Sequence, residues 1–282
     1  MLFFVLGGRM QVKEIIRQAL MEDIHTGDIT TNYLDLEPVT SIAFMIAKAE
    51  GILAGVDVAR QTFRELDKDL KITLYKKDGD RVKIKDEIMR IEGKAASILQ
   101  AERTALNFIQ RLSGIATKTN AMANLIQGTD ARILDTRKTT PLLRELEKQA
   151  VRIGGAFNHR FGLYDMILLK ENHIRAAGSI TEAVSRVKMH NTSHKIEVEV
   201  TNLQELEEAI SCGVDRVMLD NMPLDEIKTA AKKYRTKIEL EISGGVNETN
   251  IQKYARSGVH YISIGALTHS AKALDISLLF KE

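Results

Sequence analysis

Apolar positions in the first third of the chain change period several times. Over residues 12–21, Val12, Ile15, Ile16, Ala19 and Leu20 stand at helical spacing. Residues 41–49 and 52–54 alternate or run apolar as strands do, 56–66 returns to helical spacing, and 70–75 alternates again. The segment 77–93, KDGDRVKIKDEIMRIEG, predicts a tight turn at Asp78 and Gly79 and two short strands. Residues 96–112 form a helix that is apolar on most sides and so buried on several faces, with Gly114 as a stop just past its end. Arg103 in its middle is either a surface residue that snorkels or an inward cation at a domain or subunit contact.

After Thr117 the pattern becomes a regular alternation of short apolar runs and helical stretches. The runs end at Asp135, Lys170, Glu199, Asp220, Ser243 and Gly265, and the helices lie over 180–189, 203–212, 224–233 and 249–257. The intervals are roughly one βα unit long, which predicts a parallel sheet closed, or nearly closed, into a barrel. The six strands leave an incomplete barrel open. Pro141 predicts a helix start, with Thr139 or Thr140 as its cap. Glu197 and Glu199 share one strand face while Val198 and Val200 share the other, and Glu239 and Glu241 behave likewise against Ile238, Leu240 and Ile242. Outer helices need the apolar face, so these glutamates should point inward. A polar interior of that kind is unfavourable unless the charges are paired or bind something.

The chain has 282 residues, 44% hydrophobic and 28% charged, enough for one large or two modest domains of an ordinary globular kind. Its 40 basic and 38 acidic residues leave a net charge of +2, so no global field favours nucleic acid and any cationic site must be local. Cys212, the single cysteine, excludes a disulfide framework and a thiolate metal site, and its place late in a helix beside Gly213 reads as structural. The apolar stretch 2–6 is far too short to cross a bilayer and reads as a packed or frayed terminus, with Met10 as an alternative start. A cytoplasmic protein without membrane partners is the expectation. Asp23, His25 and Asp28 imitate a metal cluster, but around a turn such residues serve as caps.

The chemistry gathers at the strand ends. Within 135–173 the chain places Arg137, Lys138, His159, Arg160 and Lys170 where strands stop, and Glu199, Asp220 and Glu241 follow in the second half. The C-terminal strand ends of a βα barrel line its active site. Arginine forks there suit carboxylates or phosphates, and the carboxylates suit a hard cation such as Mg²⁺. Ser243-Gly244-Gly245 and the loop from Gly265 to His269 follow the last two strands, where such folds build phosphate sites. The pattern points to an enzyme for an anionic substrate and a phosphorylated, Mg²⁺-bound second one.

The runs AERTALNFIQRLSGIAT, LDTRKTTPLLRELEKQAVRIGGAFNHRFGLYDMILLKENHI, EVEVTNLQELEEA, VMLDNM and LEISGGV, with the early MEDIHTGDITT, resemble the quinolinate phosphoribosyltransferase family over nearly everything after the first ten residues. The resemblance implies a mixed α/β sandwich N-terminal domain over 1–116, an incomplete, TIM-like α/β barrel over 117–270, and a C-terminal helical segment over 271–282 packing back on the first domain. It implies a homodimer with shared active sites, further assembly to a hexamer being left open. Quinolinate would be held by Arg137, Arg160, Lys170 and His159, with Thr136 nearby and Arg103 entering from the partner. Phosphoribosyl pyrophosphate would meet Lys138 and Lys170, with Glu199 and Asp220 toward the ribose and Mg²⁺, and its 5-phosphate on Ser243, Gly244, Gly245, Gly265 and His269. The implied catalytic set is Lys170, His159, Glu199 and Asp220, with Lys170 first and His159 second for guiding the proton after decarboxylation. The alternatives are a paralogous phosphoribosyltransferase for a related small acid and a non-catalytic metabolite sensor on the same fold. Three arginines favour a dicarboxylate, and a sensor would be expected to have lost Lys138, Lys170, Glu199 or Asp220, all of which are present.

Overall fold

The computed structural model describes residues 12–281. The readings of 2–6 and of Met10 lie outside the described residues. In chain order the first elements are α1 (Val12–Ile24), α2 (Ile29–Tyr33), β1 (Thr40–Ala47), β2 (Gly51–Ile52), α3 (Val56–Leu66), β3 (Lys71–Leu74), β4 (Arg81–Val82), β5 (Glu87–Lys94) and α4 (Ala95–Leu125). Then come β6 (Arg132–Leu134), α5 (Arg144–Ile153), β7 (Ile167–Leu169), α6 (Glu171–Ala177), α7 (Ile180–Met189), β8 (Ile196–Val200), α8 (Leu203–Ser211), β9 (Arg216–Asp220) and α9 (Leu224–Tyr234). The chain closes with β10 (Glu239–Ser243), α10 (Ile251–Ala255), β11 (Tyr261–Ser263), α11 (Ala266–His269) and β12 (Ile276–Phe280).

The chain forms two compact units. The first takes the residues up to Lys118 together with Pro141–Gly154 and those from Ala271 onward; the second takes Thr119–Thr140 and Gly155–Ser270. In the first unit an antiparallel sheet in the order β12-β1-β5-β3 carries a core on one face. Alternation along β1 turns Ala43, Met45 and Ala47 inward, where they join Ile88, Met89 and Ile91 of β5, Phe63 of α3 and Ile98 and Ile109 of α4. Asp28, one of the three residues that imitate a metal cluster, caps α2 by accepting from the Thr30 and Thr31 amides.

Four expectations about this part of the chain are corrected. The C-terminal segment is a strand and not a helix: Ile276 and Leu278 point inward at a period of two, and β12 lies antiparallel beside β1. Gly114 does not end its helix, which runs on to Leu125. The glycine is there for close approach, since a Cβ at this position would stand 2.1 Å from the Lys272 carbonyl oxygen. No helix starts at Pro141, because Leu142 has φ 66° and α5 begins only at Arg144. Finally, α5 packs with the first unit and not within the barrel. It buries Leu146, Ala150 and Val151 there, and its Glu147, 0% exposed, takes the Arg111 guanidinium of α4 at 2.9 Å.

The second unit is built on a six-stranded parallel sheet in the order β6-β11-β10-β9-β8-β7. Its strands are the six read from the sequence. Beside β6 the sheet continues only as a single parallel bridge from Leu134 to Phe157, and among the described residues no strand joins β7 to it, so the barrel is open. Cys212 ends α8, and its thiol lies 3.6 Å from the Thr181 hydroxyl, a structural place. Among the described residues no helix is long and apolar enough to cross a membrane.

Gly114→Ala tests the close approach in the first unit. Alanine normally favours a helix over glycine, but the crowding at Lys272 reverses the sign here. The expected result is a loss of about 1–3 kcal/mol of stability, read as a lower thermal midpoint.

Candidate active site

The site in the second unit grows from strands that turn polar where they end. Asp135 follows β6 and is fully buried, with Oδ1 accepting from the His159 amide at 2.9 Å and Oδ2 from the Asn158 side chain at 2.5 Å. That pair of bonds fixes the segment bearing His159 and Arg160 against the end of β6. The Arg160 guanidinium donates to the Met166 carbonyl at 3.1 Å. Burial pushes this guanidinium down from its ordinary value, and the charge of Arg137 pushes it further. Two cations thus crowd one another beside the strand ends.

The inward glutamates supply the floor. Glu197 and Glu241 are 0% exposed, and the His159 Nε2 stands 3.0 Å from Glu197 and 3.4 Å from Glu241. Arg216 on β9 completes the charge balance, 3.0 Å from Glu241 and 3.0 Å from Glu239, with its guanidinium 4.0 Å above the Tyr261 ring. The pairing that the alternation demanded is present. Burial and the neighbouring Glu241 raise Glu197, whereas Glu241 is held down against its burial by His159 and Arg216. Burial pushes the His159 imidazole down, while the two carboxylates pull it upward. A backbone group opposes them: the Arg160 amide donates to Nδ1 at 2.7 Å, which only an unprotonated nitrogen accepts. This directional contact fixes the tautomer of the arrangement, with Nδ1 bare and the proton on Nε2.

Above the floor lies a pocket of about 620 Å³. Thr136, Arg137, Lys138, His159, Arg160, Lys170, Glu199, Asp220, Ser243, Gly244, Gly245, Gly265 and His269 all line it. Of the residues singled out in the sequence, Arg103 and Glu241 are not among these: Arg103 is exposed on α4 in the first unit, and Glu241, expected on the rim, sits in the middle of β10 and is fully buried in the floor, because the strand runs on to Ser243. Lys170 precedes α6, with its ammonium 3.6 Å from Glu199. Burial raises Glu199 and so does Asp220, while Lys170 pulls it back. Gly265 lets the Lys138 side chain lie close, since a Cβ there would meet its Cδ at 2.9 Å.

Among the lining residues that escaped the sequence reading is Asn221. Asn221 follows Asp220 with φ 52°, donates to the Asp220 carboxylate at 2.9 Å, and sets its carboxamide where a Gly244 Cβ would be, 2.0 Å from its Oδ1. Asparagine tolerates the left-handed region, and that was the available signal in LDNM.

The implied Mg²⁺ fits this donor set. Glu199 and Asp220 offer hard oxygens, partly exposed to a pocket with room for water, as such an ion needs. Among the described residues, the grouping of three ligand-type side chains is His159 with Glu197 and Glu241. There His159 Nε2 stands 3.0 Å and 3.4 Å from the two carboxylates, and the charge of Arg216 lies 3.0 Å from Glu241.

Comparison with known proteins agrees over both units. Family models for the N-terminal and C-terminal domains of quinolinate phosphoribosyl transferase match residues 28–113 and 115–279. A protein of Bacillus subtilis (strain 168), named "Probable nicotinate-nucleotide pyrophosphorylase", carboxylating, is 45% identical over 271 residues, covering 95% of this chain and 93% of its own. The chloroplastic nicotinate-nucleotide pyrophosphorylase of Arabidopsis thaliana is 44% identical over 290 residues, covering 95% and 82%. Among solved structures, the nicotinate-nucleotide pyrophosphorylase of Francisella tularensis superposes with a TM-score of 0.90 at 45% identity, covering 96% of each chain. That of Ehrlichia chaffeensis gives 0.93 at 38%, covering 97% of this chain and 100% of its own.

Gly244 offers a local test. Its φ of 95° strains any other residue, and an added Cβ must push Asn221 away from Asp220. Gly244→Ala is expected to weaken binding of a simple phosphate ester such as ribose 5-phosphate by about tenfold or more, measured by calorimetry.

Proposed function

The chain belongs to the quinolinate phosphoribosyltransferase family, and we propose that it transfers the phosphoribosyl group of phosphoribosyl pyrophosphate to quinolinate with decarboxylation. The products are nicotinate mononucleotide, pyrophosphate and CO₂, a step of NAD biosynthesis, which makes the protein a pentosyltransferase. The observation that carries this reading is the crowding of Arg137 and Arg160 in a pocket that also holds Lys138 and Lys170 and faces two carboxylates. Cations pressed together in this way favour a dianion over a monoacid.

The charges then assign the steps. The bond from ribose to pyrophosphate breaks with its electron pair leaving on oxygen, and the cationic ribose carbon so formed faces Glu199 and Asp220. The ring nitrogen supplies its lone pair to that carbon and becomes a pyridinium. The adjacent carboxylate then leaves as CO₂, its bonding electrons stay on the ring carbon, and a proton replaces it. Lys170 is the first group for guiding that proton. Arg137, Arg160 and Lys170 hold the two carboxylates, with Thr136 nearby and the His159 ring on the pocket wall beside Arg160, and Lys138 with Lys170 meets the pyrophosphate. The 5-phosphate rests on Ser243, Gly244, Gly245, Gly265 and His269. A bound magnesium ion supplies charge neutralisation at the departing pyrophosphate, and Glu199 and Asp220 are the residues that would hold it. Arg103 reaches the pocket of a second copy in a homodimer, and the working place is the cytoplasm.

Given quinolinate, phosphoribosyl pyrophosphate and Mg²⁺, the purified protein is expected to release CO₂ and pyrophosphate in equal amounts, with neither from nicotinate. Pyrophosphate from nicotinate without CO₂ would point to the paralogous transferases, and binding without release to a sensor. Chelation of the metal is expected to stop release and added Mg²⁺ to restore it.

The shared site has its own test. Arg103→Ala and Lys170→Ala should each lower turnover by about 100-fold or more. Mixing the two, refolded together, should recover up to about a quarter of wild-type activity, because a mixed dimer holds one intact site. If the mixture recovers nothing, Arg103 does not act across subunits.

A further inference from the structure

The reaction as derived makes no use of Glu197 and Glu241, although both are fully buried within hydrogen-bond distance of a residue on the pocket wall. Carboxylates in such a place need partners, and what they partner here is the imidazole of His159. That ring has both nitrogens engaged inside the protein. Nε2 faces the two carboxylates, and Nδ1 accepts the Arg160 amide at 2.7 Å. The His159 amide is itself tied to Asp135 at 2.9 Å, so backbone and side chain are fixed by separate elements. Arg160 is held at its amide by this ring and at its guanidinium by the Met166 carbonyl. The charged groups around the ring are Glu197 on β8, Arg216 and Glu241 on β9 and β10, Asp135 after β6, and Arg137 beyond Arg160.

We propose that Glu197 and Glu241 are positioning residues that act through His159: they hold its ring by Nε2 so that Nδ1 anchors the Arg160 backbone and, with it, the guanidinium that receives a substrate carboxylate. The proposal rests on the dicarboxylate reading of the pocket. Arg137 pushes Arg160 away, so without an anchor the two cations would separate before an anion arrives. A second consequence concerns the proton that replaces CO₂. With Nδ1 committed to an amide and Nε2 turned to the floor, His159 has no nitrogen to present to the ring carbon, and Lys170 is left as the group for that step.

The test is a double-mutant cycle read separately for the two substrates. Glu241→Gln and Glu197→Gln are each expected to weaken quinolinate binding by about tenfold, by calorimetry and as KM, while the KM for phosphoribosyl pyrophosphate stays within about twofold. His159→Asn keeps an acceptor where Nδ1 stands and is expected to bind quinolinate better than His159→Leu. In the His159→Asn background, Glu241→Gln should add less than about a twofold effect, because its route through the ring is gone. Equal losses for both substrates, an undiminished loss in the Asn background, or a fall in kcat at unchanged KM would overturn the proposal. Should either glutamate variant fail to fold, the Asn and Leu pair at His159 decides alone. Calorimetry also separates the two readings. Wild-type protein that binds quinolinate without turning it over refutes the transferase reading and leaves the anchor testable, and wild-type protein that binds no dicarboxylate refutes both.

Discussion

Glu197 and Glu241 sit fully buried on the inner face of a parallel sheet, where an unpaired carboxylate would cost several kcal/mol. Arg216 lies between their strands and meets Glu241 and Glu239, and the His159 ring covers the remaining side. The pocket above depends on this arrangement. It lets the same strands that bury Val198, Val200, Leu240 and Ile242 outward carry acidic groups inward. It also fixes the segment 157–160, which would otherwise be a loop beyond the last regular strand pairing at β6.

Much of this was legible because a parallel βα unit writes itself twice into sequence, as an apolar run and as the polar residue that ends it. All six strands and the inward direction of the glutamates followed from alternation alone. So did the gathering of the rim residues, since strand ends on one sheet are neighbours whatever lies between them in the chain. What was misread depends on contacts far apart in sequence. Gly114 looks like a helix stop until the Lys272 carbonyl is seen against it. Residues 276–280 bury Ile276 and Leu278 only because β1 has a free edge for them. Pro141 promised a helix that the left-handed Leu142 delays by three residues to Arg144.

The same distinction runs through the site. Arg137, Lys138 and Lys170 announce themselves by charge at a strand end, whereas Asn221 works by shape. Its left-handed backbone, its bond to Asp220 and the empty space at Gly244 are one feature, and none of the three is visible as composition. Asparagine is suited to that place because it accepts the backbone conformation and still offers an amide to the carboxylate.

The pocket holds two like-charged groupings side by side. Arg137 acts on Arg160, and Asp220 acts on Glu199, each pressing its neighbour toward the neutral form. The Lys170 to Glu199 pair, 3.6 Å apart, links the two groupings. Half of the Lys170 side chain is exposed, so water screens this pair and it holds the lysine only weakly. An anion entering among the cations and a cationic carbon forming near the carboxylates would therefore each relieve a repulsion already present in the folded protein. In a site of this kind the energy for binding and for stabilising the charged intermediate is set by the fold before either substrate arrives, and the buried floor is what keeps the charges from moving apart.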